Sequence, residues 1–202
     1  MTELLETSHE PSYPAIEGRT FAAGSYRLVP LREEDMESIR QWRNAQRDIL
    51  RQDHHLSEGQ QRVYYRDAVR PTFGVLKPPQ MLFSFLLNED CIGYGGLTRI
   101  DWQSQRAELS FLLATERARN GPVYRTEMLA FLKLIQAVCF EGVGLHRLST
   151  ETYDCRPLHM GLLEEAGFRL EGRLRAHQRI GRDWVDSLLH ARLKEEYVQG
   201  RT

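Results

Sequence analysis

Two hydrophobic rhythms divide this chain, and the order in which they alternate predicts its elements. Tyr26 to Leu31 (YRLVPL) reads as a short strand. Glu33, Glu34 and Asp35 follow as an acidic first helical turn, where they complement the helix dipole. Met36, Ile39 and Trp42 repeat at helical spacing and mark its buried face. Ser57 is placed as the N-cap of a second helix running to Val69, with Val63 and Tyr64 turned inward. Pro71 and the Pro78-Pro79 pair close it. Period 2 then takes over in three runs, Met81–Leu87, Cys91–Ile100 and Arg106–Leu113, which read as an antiparallel meander. The glycines of CIGYGG suggest a bulge or a close backbone approach.

After Leu113 the spacing returns to 3.6. Asn120-Gly121-Pro122 opens a helix, with proline in its first turn. Met128, Leu132, Ile135 and Cys139 form its stripe, and Gly142 and Gly144 stop it. Leu145–Tyr153 alternates as a strand. Pro157 starts a short helix with Leu158, Leu162, Leu163 and Ala166 on one face, ended by Gly167. Phe168–Gln178 and Asp183–Leu193 form a last hairpin around Ile180-Gly181-Arg182. The order βαα-βββ-α-β-α-ββ predicts an α+β domain with a mixed, mostly antiparallel sheet. Residues 1–24 hold Pro11, Pro14, Gly18 and Gly24 without sustained periodicity. They are expected to be an arm, mobile or packed on a partner subunit, ahead of a domain at 25–202.

Composition narrows the function classes. The chain has 202 residues, 27 basic and 28 acidic, for a net charge of -1. That balance does not ask for a nucleic-acid partner. Cys91, Cys139 and Cys155 are odd in number and widely spaced, so they form no disulfide framework. No ligand set is spaced like a zinc site. The acidic, polar start carries no signal-peptide pattern, and no apolar run approaches a membrane span. A cytoplasmic protein is expected.

Local words in this order carry a family resemblance. Ala107-Glu108-Leu109-Ser110-Phe111 resembles the AEIGY strand of the RimJ/RimL branch of the GNAT N-acetyltransferases, and Thr126-Glu127-Met128-Leu129 resembles the TEAL at the start of their CoA-side helix. Leu162–Phe168 (LLEEAGF) resembles LLEKLGF, and Gly172–Arg175 and Gly181–Asp186 resemble the C-terminal hairpin. Ile39–Asn44 (IRQWRN) is similar to a word in enzymes that acetylate nucleotide-linked amino sugars. The resemblance covers about residues 25–197. It implies the GNAT-type sheet flanked by helices, acetyl-CoA as co-substrate and a small-molecule amine as acceptor, plausibly a nucleotide-linked amino sugar. It leaves open a protein N-terminus as acceptor, a homodimer, or a non-catalytic module.

The departures from the family pattern lie at the CoA site. The usual R/Q-x-x-G-x-G/A loop is here Asn120-Gly121-Pro122-Val123-Tyr124-Arg125, in a loop about two residues longer than usual. The family's asparagine after the fifth strand and its acid tyrosine in the next helix fall at Arg156 and Leu163.

Acetyl transfer needs a polarised thioester, a deprotonated amine and a proton for the departing thiolate. The resemblance assigns thioester and pantetheine contacts to the backbone of Phe111, Leu112 and Leu113. Phosphate contacts fall to Arg119, Asn120, Gly121, Val123, Arg125 and Arg156, with arginines replacing lost glycine amides. Glu108, a carboxylate in an apolar strand, is the expected base, with a raised pKa. Tyr153 and His159 compete for the acid role. His146 is expected to be structural. Trp42, Arg43, Asn44 and Arg51 are expected to wall the acceptor site, and Trp42 could equally be core.

Overall fold

The computed structural model describes residues 11–50 and 52–200; Arg51, one of the expected acceptor-site residues, lies outside the described residues. The period-2 runs form the middle of one eight-stranded sheet. Its strands are β1 (Phe21–Ala23), β2 (Tyr26–Pro30), β3 (Met81–Leu87), β4 (Asp90–Asp101), β5 (Arg106–Leu113), β6 (Arg147–Tyr153), β7 (Arg169–Ile180) and β8 (Asp183–Leu193), in the order β1-β2-β3-β4-β5-β6-β8-β7. Every neighbouring pair is antiparallel except β5–β6, which runs parallel. The α+β class and the mostly antiparallel sheet are therefore as the alternation implied.

Helices cover both faces. On one side α1 (Met36–Ala45) and α2 (Glu58–Tyr64) bury Met36, Ile39, Tyr65 and Val69 against Leu82, Tyr94 and Leu112. Ser57 caps α2 through a complete capping box with Gln60. Val63 and Tyr64, expected inward, are exposed at 47% and 40%. The inward row is instead Gln61, Tyr65 and Val69, because the helix widens into a π turn at Tyr65–Val69. On the other side α4 (Gly121–Ala137) buries Met128, Phe131, Leu132 and Ile135 in the larger core. The expected stripe is all inside, Cys139 included. In α5 (Pro157–Glu165), Leu158 is 45% exposed and His159 takes the inward place. The backbone turn after Arg156 shifts that face by one residue.

The close approach implied by the β4 glycines is real at Gly95. A Cβ there would sit 2.1 Å from the Ser110 carbonyl oxygen and 2.8 Å from the Phe131 ring. Three elements escaped the spacing: β1, α3 (Thr115–Arg119) and α6 (Lys194–Gln199). All are too short for a period to declare itself. No helix among the described residues is long and apolar enough to cross a membrane.

The described part of the expected arm, residues 11–24, packs on the chain's own core at Tyr13, Ile16 and Phe21. Tyr13 is 1% exposed and packs on Phe73 and Phe83. Its hydroxyl donates to the Leu82 carbonyl at 3.1 Å and accepts the Leu82 amide at 2.9 Å. Phe21–Ala23 then joins the sheet as β1. Removing that hydroxyl strands the buried Leu82 amide, while the Leu82 carbonyl keeps the Leu31 amide at 3.0 Å, so Tyr13→Phe is expected to cost about 1–3 kcal/mol in urea unfolding. A change below ~0.5 kcal/mol would show that water replaces it without penalty.

Candidate active site

The parallel β5–β6 pair holds for three residues only, Arg106–Glu108 against Arg147–Ser149. Beyond Glu108 each strand follows its other neighbour: β5 stays with β4 to Leu113, and β6 stays with β8 to Tyr153. A wedge opens between them. In the β4–β5 ladder the Ala114 amide bonds the Ile92 carbonyl. By the alternation of antiparallel bonds, the backbone groups of Leu109, Phe111 and Leu113 therefore face the wedge. The Leu113 carbonyl confirms this direction by accepting from Gln46 Nε2 at 2.8 Å. The amide of Leu112 points the other way, towards β4.

One cavity occupies the wedge and a second adjoins it beyond the ends of β5 and β6. The first, about 270 Å³, is lined by Glu108, Ser110 and Phe111 from β5, Glu151 and Tyr153 from β6, and Arg43 and Arg99 at its sides. The second, about 440 Å³, lies between Gln46 and Thr115 on one side and Arg119, Tyr124 and Cys155 on the other. Ile49, Arg156 and His159 line both, so they form the wall where the cavities meet.

The charged groups are arranged unevenly. Glu108 has a side chain about a quarter exposed and pairs with Arg99 at 2.9 Å. Glu151 lies two residues beyond Ser149, on the same face, and meets His177 at 3.3 Å. Arg43 is half-buried, and among the described residues its hydrogen bonds go to neutral groups: the Tyr94 hydroxyl at 2.6 Å and the Gln52 amide oxygen at 3.1 Å.

At the wall, the Tyr124 hydroxyl and His159 Nδ1 share a hydrogen bond at 2.6 Å, and the hydroxyl accepts from Arg156 at 3.0 Å. Burial pushes the His159 pKa well below the ordinary value of 6.5, and the charges of Arg156 and His190 push the same way. His159 is therefore neutral at pH 7, with one ring nitrogen a donor and the other an acceptor. Burial raises the Tyr124 phenol, against a pull from the Arg156 charge and hydrogen bond.

The expected site residues separate into groups. Glu108, Phe111, Tyr153, Arg156, His159 and Arg43 are brought to the first cavity, and Arg119 to the second. Leu112 and Leu113 have buried side chains; the Leu113 backbone remains a candidate, whereas the Leu112 backbone, expected to meet the thioester, is turned to β4 by the alternation of the ladder. Arg125 lines neither cavity and pairs with Glu165 at 2.7 Å. Asn120 caps α4: its side-chain oxygen accepts the Val123 amide at 3.2 Å, so that amide is already satisfied. Gly121 and Val123 line neither cavity. Trp42 packs on the smaller core. Asn44 clamps the following segment through the Leu56 amide and carbonyl at 2.8 and 2.9 Å. His146 is exposed at the far end of β6. Among the described residues no group of three or more metal-ligating side chains gathers.

Three contributors lay outside the expected set: Tyr124, Glu151 and Arg99. Tyr124 stands four residues before Met128 on the same stripe, which is the signal that would have turned it inward. Glu151 stands two before Tyr153 on an alternating strand.

A family model described as an acetyltransferase (GNAT) domain matches residues 28–189. The chain belongs to that family, and it is an acyltransferase that uses acetyl-CoA. A spermidine N-acetyltransferase from Vibrio cholerae, solved with CoA and spermine, has a similar structure. Its TM-score is 0.74 at 20% identity, over 87% of this chain and 99% of that one. A dodecameric structure of the Vibrio cholerae enzyme gives 0.70 at 19% identity, over 89% of this chain and 100% of that one. No curated protein matches this chain.

The neutral state of His159 sets a pH dependence. The unfolded imidazole binds a proton near 6.5 and the native one only well below, so stability is full above 6.5 and is lost as pH falls. The melting temperature should drop between about pH 7 and 5.5, and His159→Gln should flatten that drop. An identical slope in the variant would mean that other groups govern acid sensitivity.

Proposed function

We propose that this chain transfers the acetyl group of acetyl-CoA to a small amine that also carries an acidic group, a nucleotide-linked amino sugar being one such acceptor. The observation that carries this reading is Arg43. A half-buried guanidinium held, among the described residues, by a hydroxyl and an amide keeps its charge available to an anion, and arginine suits phosphate or carboxylate. Glu108 and Glu151 line the same cavity and suit the ammonium end. CoA occupies the second cavity in this reading, with Arg119 and Arg156 towards its phosphates and the Phe111 and Leu113 backbone towards pantetheine and thioester.

The reaction needs few groups. Glu108 takes the ammonium proton, directly or through water. The amine attacks the thioester carbon across the wedge, and backbone amides of β5 stabilise the oxyanion. Tyr153 borders the acceptor. His159, neutral, holds a neighbour in place better than it donates a proton.

A polyamine acceptor is the second reading, supported by the two carboxylates and by the spermidine enzymes of similar fold. The proposal extends to a homo-oligomer: β7 is an open sheet edge, with Leu170, Leu174 and Trp184 exposed beside it.

Initial rates with acetyl-CoA decide between the acceptors. Amino sugars bearing phosphate or nucleotide should exceed spermidine in kcat/KM by about tenfold or more, and a preference for spermidine would overturn the acidic-acceptor reading. Arg43→Ala should raise the acceptor KM by roughly 10- to 100-fold with kcat little changed, as expected for a lost charge-assisted pair of about 1.5–3 kcal/mol. Glu108→Gln should lower kcat at least about a hundredfold with CoA affinity intact, and a loss under about threefold would exclude it as base.

A further inference from the structure

We propose that Tyr124 delivers the proton to the departing CoA sulfur, with Arg156 and His159 holding its hydroxyl at the junction of the two cavities. This rests on the acetyl-transfer reading of those cavities, not on the identity of the acceptor.

The placement comes first. The acetyl carbon must face the acceptor cavity and Glu108, while pantetheine runs back into the second cavity. The sulfur, between them, must lie near the shared wall of Ile49, Arg156 and His159. The Tyr124 hydroxyl is bonded to two of those three residues, at 2.6 and 3.0 Å, and its side chain lines the second cavity. It reaches the wall from the first turn of α4, beneath the start of α5. Leu163, at the position where the resemblance expected an acid, is fully buried in the main core and offers no proton.

The chemistry then selects the phenol over its partners. Arg156 stays protonated throughout and is a poor acid. His159 is neutral, so it lacks the imidazolium proton that a histidine acid would give. At rest the phenol shares a hydrogen bond with His159 Nδ1, and in the tautomer with the ring proton on Nε2 its O–H points there. As the C–S bond breaks, the electron pair moves onto sulfur, and a thiolate is a stronger acceptor than a neutral imidazole. The O–H turns about its C–O bond and the proton passes to sulfur. The resulting phenolate is stabilised by the Arg156 charge.

The balance closes. The ammonium gives up two protons on becoming an amide; Tyr124 supplies one to CoA and recovers one through solvent, and one leaves to bulk water. His159 and Arg156 are thus positioning residues, and Tyr124 is the catalytic acid.

The test compares two acyl donors: acetyl-CoA, whose thiolate needs a proton, and 4-nitrothiophenyl acetate, whose thiolate leaves without one. Tyr124→Phe is expected to lose about 100-fold or more in kcat with acetyl-CoA, and less than about threefold with the aryl donor. Equal losses with both donors would make Tyr124 structural and overturn the proposal, as would a loss below about threefold with acetyl-CoA. His159→Gln, which still offers the phenol an acceptor, is expected to keep at least about a tenth of acetyl-CoA turnover. A loss of about 100-fold in that variant, confined to acetyl-CoA, would assign the proton to His159 and overturn the proposal independently of how Tyr124→Phe folds. Calorimetry of CoA with the wild-type protein separates the two levels: absent binding sinks the reading of the cavities, whereas binding with donor-independent losses sinks only Tyr124.

Discussion

The parting of β5 from β6 is the constraint on which the rest depends. Three residues pair, and then each strand keeps only its antiparallel partner. A sheet loses backbone hydrogen bonds at such a point, and buried backbone groups without partners are costly. The loss is offset by packing around the split. Gln46 reaches from the end of α1 to take the Leu113 carbonyl and the Thr115 hydroxyl, at 2.8 and 3.2 Å. Gly95 lets β4 and Phe131 close on β5 from the side away from the gap. The backbone groups still facing the wedge are what a thioester and a pantetheine amide can use. Strand geometry, not a particular side chain, builds the donor site.

The phosphate end departs from the family pattern for a local reason. The extra length before α4 folds into α3, and Asn120 then caps α4 with its own side chain. A capped helix start has fewer amides to offer an anion. Charge near the second cavity comes instead from Arg119 and Arg156. Arg125 looked equivalent in sequence, but helical phase carries it to the outer side, where Glu165 neutralises it. Arg119 and Arg125, six residues apart, thus differ according to the face each occupies.

The strands and long helices were legible because burial imposes a period on them. The Met128–Cys139 stripe and the Met81–Leu87 run follow directly from that rule. Errors arose where the period is locally reset. The π turn after Tyr64 moved the inward row of α2, and the turn at Arg156 put His159 rather than Leu158 inside. The residues ahead of β1 failed for another reason. Tyr13 is held by hydrogen bonds to a residue 69 positions away, and no local pattern encodes such a contact. For the site, Glu108, Tyr153 and His159 could be named because they stand in or beside recognisable words. Tyr124 could not, since its partners come from a different helix.

The wall between the cavities shows why so few charges suffice there. In the proposed reading Glu108 and Glu151 of the first cavity meet an ammonium and Arg43 an anion, while Arg119 and Arg156 at the second cavity meet the phosphates of CoA. A charged imidazole between them would compete with the acceptor ammonium and repel Arg156. Burial removes that charge, and the same burial keeps Tyr124 protonated. Only Arg156 stays charged at the wall, and it touches the oxygen on which negative charge would appear after proton transfer. A fixed charge at that place acts without reorganisation, which is the condition under which electrostatic stabilisation is most effective.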